Sequence, residues 1–203
     1  MKTYEKIYRE ILIGVLEKKV SFTQLGLSKK CGVSLGFVNK IVRRLEEIGA
    51  VDIQRRKFRI IDSSKIIFDW ASKRRIKQDV SEKYFIDMDI SNIEKSLPFI
   101  FTGYSAWRLL KKSVPFDYDE IYIYVPVEKK ELFYIWLKDK PTKKGKENLF
   151  VIFTDDEHLI KNSKKKIAPL PQIFVDIYSI GSLASKYFIK EILEEYPIFK
   201  VGA

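Results

Sequence analysis

Between Thr23 and Gly49 the chain marks where its own helices start and stop, and this constrains the fold more than any other stretch. Thr23 is placed to cap a short helix running through Gln24, Leu25, Leu27 and Ser28 to Cys31. Gly32-Val33-Ser34 then reads as a tight turn, with Ser34 as the N-cap of a longer helix, LGFVNKIVRRLEEI, that stops at Gly49. In that second helix Val38, Ile41, Val42, Leu45 and Ile48 fall on one face and predict a buried stripe. The opposite face carries Phe37, Asn39, Lys40, Arg43 and Arg44.

The flanks complete the pattern. Met1 to Lys19 sets Tyr4, Ile7, Tyr8, Ile11, Leu12, Val15 and Leu16 at helical spacing, and Ser21, Phe22 and Thr23 break it. After Gly49, residues 50–54 and 57–61 read as two strands around a cationic tip at Arg55 and Arg56. Helix, helix, turn, helix, hairpin is the winged-helix order, and KKCGVSLGFVNKIVRRLEEIGAV resembles the helix-turn-helix of the broad winged-helix regulator superfamily. The resemblance covers about residues 3–62.

Charge points the same way. Residues 1–77 hold 19 Lys and Arg against 8 Asp and Glu, whereas residues 78–203 hold 19 of each. The whole net charge of +11 therefore lies in the first third, the footprint of a chain that grips phosphates with one half. A recognition helix reaches base edges with its N-terminal residues. That assigns Ser34, Gly36 and Phe37 to the groove, Asn39 or Lys40 to bases, and Arg43 and Arg44 to phosphates. Arg55, Arg56 and Lys57 are expected on the backbone or in the adjacent minor groove. The alternative is that these cations form an ordinary solvated face of a protein-interaction module. Cys31 reads as a small apolar packing residue before the turn.

The expected organisation is a winged helix-turn-helix over 1–62, a linker helix over 63–77 and a second domain over 78–203. The linker carries an apolar stripe of Ile66, Ile67, Trp70 and Ala71, then Lys73, Arg74, Arg75 and Lys77. It is expected to pack on the winged helix or pair with its copy in a dimer, and its basic end could widen the DNA-binding surface.

Composition removes several classes. One cysteine excludes an internal disulfide or a cysteine zinc cluster, and one histidine, His158, excludes a paired-histidine centre. His158 follows Asp155-Asp156-Glu157 and reads as an ordinary loop or helix-start residue. The charged start does not read as a signal peptide, and no run approaches the ~18 apolar residues of a membrane span. A cytoplasmic protein without membrane or cofactor is expected.

From residue 78 the pattern alternates. Strands are expected at 83–88, 98–102, 120–125 and 148–153. Helices are expected at 91–96, 103–112, 128–138 and 182–196, with 169–179 ambiguous and helix favoured. The fold class is thus α+β in two domains, the second an α/β mixed sheet with helices. The Lys-rich stretches at 139–148 and 161–166 read as solvated loops.

The segment FTGYSAWRLLKKSVPFDYDEIYIYVP resembles the nucleotidyltransferase fold. In that family a Gly-Ser turn binds the triphosphate, and carboxylates spaced D-x-D on the next strand hold two metal ions. The resemblance makes Gly103, Ser105 and Asp119 a vestigial nucleotide site. The departures are specific: Asp117 and Asp119 precede the strand, Ile121 stands at the second carboxylate position, and Tyr104 replaces a small residue. Asp176 could be the third carboxylate but is read as a cap or bridge. The expectation is a degenerate, non-catalytic domain with no metal. The alternative is a nucleotidyltransferase that uses the winged helix to hold a nucleic-acid substrate.

A winged helix followed by F-T-G-x-S-A, a D-x-x-x-x-x-V-P strand and IAPLPQIFVDIYSIG also resembles AbiEi-type antitoxin and transcriptional regulators. That resemblance implies a repressor of its own operon that binds promoter repeats. It also implies a toxin partner that is itself a nucleotidyltransferase. In that pattern Ala168-Pro169 and Asp176 are structural landmarks. A homodimer on double-stranded DNA is expected of a winged helix, because two half-sites multiply weak single-site specificity.

Overall fold

Thr23 and Ser34 both cap helices in the structure, a computed structural model that describes residues 2–140 and 145–200. The Gly26 N–H donates to Thr23 Oγ1 at 3.1 Å, opening α2 (Gln24–Cys31). The Phe37 N–H donates to Ser34 Oγ at 3.2 Å, opening α3 (Leu35–Glu47). Gly32 ends α2 in the left-handed region (φ +63°), a conformation open to glycine without steric cost. The chain divides into two compact units, Met1–Arg74 with Lys190–Ala203, and Arg75–Ile189, and both mix helix with sheet.

In the first unit α1 (Thr3–Leu16) precedes α2 and α3, and β1 (Ser21–Phe22), β2 (Val51–Ile53) and β3 (Phe58–Ile60) form an antiparallel sheet in the order β1-β3-β2. Its core is the stripe read from the sequence: Ile7, Tyr8, Ile11 and Leu12 of α1 and Val38, Val42 and Leu45 of α3 are fully buried. Each such side chain contributes about 1.5–3 kcal/mol through the water it leaves. The Phe22 and Phe58 rings stack at 5.7 Å and hold β1 to β3.

The helix expected over 63–77 is shorter. α4 (Ser63–Lys73) is capped by Asp62, which accepts from the Ser64 and Lys65 N–H groups at 2.9 and 3.2 Å. Burial would raise the Asp62 pKa, but these bonds and the Ser64 hydroxyl hold it below its usual value. α4 buries Ile66, Ile67 and Trp70 against α1. It stops because Arg74 turns extended and its side chain enters the core beside Glu5. A 3-10 turn at Pro197–Phe199 packs on α4, where Phe199 is buried and the Ser63 hydroxyl bonds the Ile198 carbonyl.

The second unit carries the mixed sheet. It contains α5 (Ile76–Asp79), β4 (Glu82–Tyr84), α6 (Ile90–Ser96), β5 (Ile100–Thr102), α7 (Gly103–Lys111) and β6 (Ile121–Pro126). After a 3-10 turn at Val127–Lys129 come α8 (Lys130–Lys138), β7 (Leu149–Thr154), α9 (Glu157–Asn162) and α10 (Leu170–Ile180). The division between the units falls within α11 (Leu183–Glu195). The sheet order is β4-β7-β6-β5, with β6 and β7 parallel and both outer pairs antiparallel.

All six residues of β6 are buried, as an unbroken apolar run demands of a central strand. The strand expected at 83–88 ends at Tyr84. There the Asn148 side chain accepts from the Ile86 N–H (2.8 Å) and donates to the Ile86 carbonyl (2.9 Å), replacing the ladder. The favoured helix at 169–179 is α10, and Pro171 to Ile177 are all buried in it. Of the Lys-rich stretch 139–148, residues 141–144 lie outside the described residues, and Lys164, Lys165 and Lys166 are exposed.

Candidate nucleic-acid interface

α3 offers its outer face as its periodicity demands. Ser34, Leu35 and Gly36 are exposed at its start, Phe37 and Asn39 are half-buried, and Lys40 and Arg43 are exposed. β2 and β3 are closed by a four-residue turn in which the Gln54 N–H donates to the Lys57 carbonyl at 2.8 Å. This turn carries Arg55, Arg56 and Lys57, all exposed, and none has an ion-pair partner among the described residues. Three adjacent unneutralised cations repel one another, and a polyanion relieves that repulsion. Arg59, exposed on β3 beside the turn, adds a cation that the sequence reading did not single out.

Arg44, Asn39 and Arg43, all assigned to nucleic acid, have side-chain partners within the protein. The Arg44 guanidinium forks onto Asp69 of α4, Nη2 to Oδ1 at 2.7 Å and Nε to Oδ2 at 3.3 Å. The same carboxylate accepts from the Tyr8 hydroxyl at 2.5 Å and from the Lys73 ammonium. Burial raises the Tyr8 pKa, and Asp69 raises it further. Burial outweighs Asp69 at Lys73 and lowers its pKa. Asn39 Nδ2 donates to Gln24 Oε1 and Asn39 Oδ1 accepts from Arg43 Nε, both at 3.1 Å. The sequence reading did not name Asp69, and it placed Gln24 on the short helix without a partner on α3. The i, i+4 spacing of Asp69 and Lys73 is the one local signal that could have raised Asp69.

The basic end of the linker contributes less surface than its sequence implies. Arg74 and Glu5 are buried together with 3.5 Å between Nη1 and Oε1, and Lys73 also donates to the Tyr8 hydroxyl at 3.1 Å. Cys31 is buried with its Sγ 3.4 Å from the Lys6 carbonyl, a packing position.

In the second unit Gly103 turns the chain from β5 into α7 at φ +62°, where a Cβ would stand 3.3 Å from Ile180 Cδ1. Ser105 is fully buried, and the Tyr104 hydroxyl is 2.7 Å from both Ser182 Oγ and Ser185 Oγ. Asp119 is 69% exposed and pairs with Lys146 at 2.6 Å, while Ile121 is buried at the start of β6. Asp117 is exposed and borders a shallow cleft with Arg108 and Tyr118.

Asp176 is fully buried and accepts from Thr102 Oγ1 (2.6 Å), Tyr124 OH (2.7 Å) and Gln172 Nε2 (3.0 Å), tying β5, β6 and α10 together. Asp119 therefore faces water, whereas Ser105 and Asp176 face the interior. Among the described residues no group of three or more His, Cys, Asp or Glu is placed to hold a metal ion. His158 is buried in the first turn of α9, which Asp156 caps. Among the described residues no helix is long and apolar enough to cross a membrane.

Set against protein-family models, curated proteins and solved structures, the chain finds no match.

Proposed function

We propose that the first unit is a winged helix that binds double-stranded DNA, and that the chain is a sequence-specific transcriptional regulator, a repressor of its own operon. The observation that carries this reading is the turn of exposed cations at Arg55, Arg56 and Lys57, on a hairpin whose strand β2 packs against α3, together with the exposed face of α3 that includes Ser34, Gly36, Lys40 and Arg43. The capped α2–turn–α3 pair supports it, because a well-defined helix start is what a groove-reading element requires. Homodimerisation follows from the same reading, since two half-sites multiply the modest discrimination of one helix. An antitoxin role with a partner toxin rests on the sequence resemblance.

The second unit is read as a nucleotidyltransferase-like module without catalysis. Supporting this, Ile121 stands where a second metal-binding carboxylate would be required, and the Ser105 and Asp176 side chains are fully buried. Metal-dependent nucleotide incorporation by the purified chain would reverse that reading.

The experiment that tests the proposal is a salt series with the full chain, comparing duplex from its own upstream region with a scrambled duplex. Selective binding that weakens with salt, by about one log-log unit per phosphate contact, is the expected result. Binding that ignores salt removes the basic-face reading. Equal binding to both duplexes removes the regulator and leaves a non-specific anchor.

A further inference from the structure

We infer that Arg43, assigned from the sequence to a phosphate, reads a guanine in the major groove, and that Gln24 and Asn39 position it for that contact. The inference rests on the proposal that α3 enters the groove.

Its basis is a relay across two helices. Gln24 opens α2, and its Oε1 accepts from Asn39 Nδ2 at 3.1 Å. Asn39 lies one turn before Arg43 on α3, and its Oδ1 accepts from Arg43 Nε at 3.1 Å. The Asn39 amide is thus oriented by the protein on both polar atoms, and the Arg43 guanidinium is held at Nε. Its two terminal nitrogens remain on an exposed side chain with no ion-pair partner among the described residues. A planar fork anchored at Nε offers the paired donors that match guanine O6 and N7.

The neighbours narrow the choice. Arg44 is forked onto Asp69, so it is committed to α4. Lys40 is exposed and suits a phosphate, since an ammonium is a point charge that needs no fixed plane. A phosphate contact gains little from an oriented guanidinium, whereas base readout depends on orientation. Arg43 also lies within the span of a recognition helix that contacts bases, since such contacts extend over two turns or more.

The test uses the full chain and a library of duplexes with a randomised centre. The motif selected by the wild type is titrated, beside single-base variants, with Arg43→Ala, Arg43→Lys, Asn39→Ala and Gln24→Ala. The expected motif contains a G·C pair at which Arg43→Ala loses about tenfold to a hundredfold of preference. Arg43→Lys should keep the wild-type salt slope and still lose that preference, which separates readout from charge. Asn39→Ala and Gln24→Ala should weaken preference at the same base pair. The inference is overturned if Arg43→Ala weakens all duplexes equally and lowers the salt slope by about one, the signature of a phosphate contact. It is also overturned if Asn39→Ala relaxes a different base pair. A wild type that binds no duplex in a salt-dependent way instead removes the DNA-binding proposal itself, a result separable from the other two.

Discussion

Arg44 and Asp69 stand 25 residues apart in the chain and meet side-on, two guanidinium nitrogens on two carboxylate oxygens at 2.7 and 3.3 Å. The pair joins α3 to α4, and Tyr8 and Lys73 complete the carboxylate's hydrogen bonds. A residue that reads in sequence as part of a cationic face is thereby a fastener between two helices.

Asp69 makes the stability of the first unit depend on acid. Burial alone would raise its pKa, but the bonds from Arg44, Lys73 and Tyr8 hold it below the ordinary carboxylate value. A carboxylate with a depressed folded pKa contributes stability that is present above its unfolded pKa and is lost as pH falls through the folded one. Asp69→Asn is expected to cost about 1–2 kcal/mol near neutral pH. The gap to wild type should close as pH falls below about 4. Urea midpoints of the two proteins across that range check it; a gap that does not change with pH contradicts it.

Arg74 and Glu5 are both only 1% exposed, so removing one takes an ion-pair partner from a buried charge. Arg74→Met is expected to destabilise by about 3–5 kcal/mol, and Glu5→Gln added to it should recover part of the loss. A double-mutant cycle by denaturant unfolding measures the coupling. Additive losses would show that the two charges act separately.

At the hairpin tip the substitutions should separate binding from stability. Arg55→Ala and Arg56→Ala touch exposed side chains and should change stability by less than about 0.5 kcal/mol. Each should weaken binding to specific and scrambled duplex alike and lower the salt slope by about one. Salt-dependent titrations read both quantities, and an unchanged slope would remove the tip from the interface.

Asp176 is expected to act in folding. Asp176→Ala leaves two hydroxyls and an amide without their shared acceptor and should cost about 3 kcal/mol. Thr102→Val removes one donor and should cost about 1 kcal/mol. Thermal melts test both. A variant that melts like wild type yet loses an activity would instead place Asp176 in chemistry.

Much of the local architecture was legible because its signals span only a few residues. Thr23, Ser34 and Gly32 specify where α2 and α3 start and stop through bonds to neighbours three or four positions away. The apolar stripe of α3 and the run of β6 are burial patterns readable from spacing alone. At the start of α4 the sequence offers three capping types in a row, Asp62, Ser63 and Ser64, and the bonds to Asp62 make it the cap. The strand expected over 83–88 was cut short by Asn148, 62 residues on from Ile86, which no local pattern around Phe85 could reveal.

The candidate site divides along the same line. The sequence by itself determined that one face of α3 and the hairpin tip would be polar and cationic, since charge on the solvent side of an amphipathic element follows from its period. Only the tertiary structure decided what each of those charges touches. Packing α2 and α4 on α3 brought Gln24 to Asn39 and Asp69 to Arg44, and the end of α4 carried Arg74 to Glu5. The reason is that a hydrogen bond or ion pair depends on distances of about 3 Å between side chains, and that proximity is set by how whole elements pack.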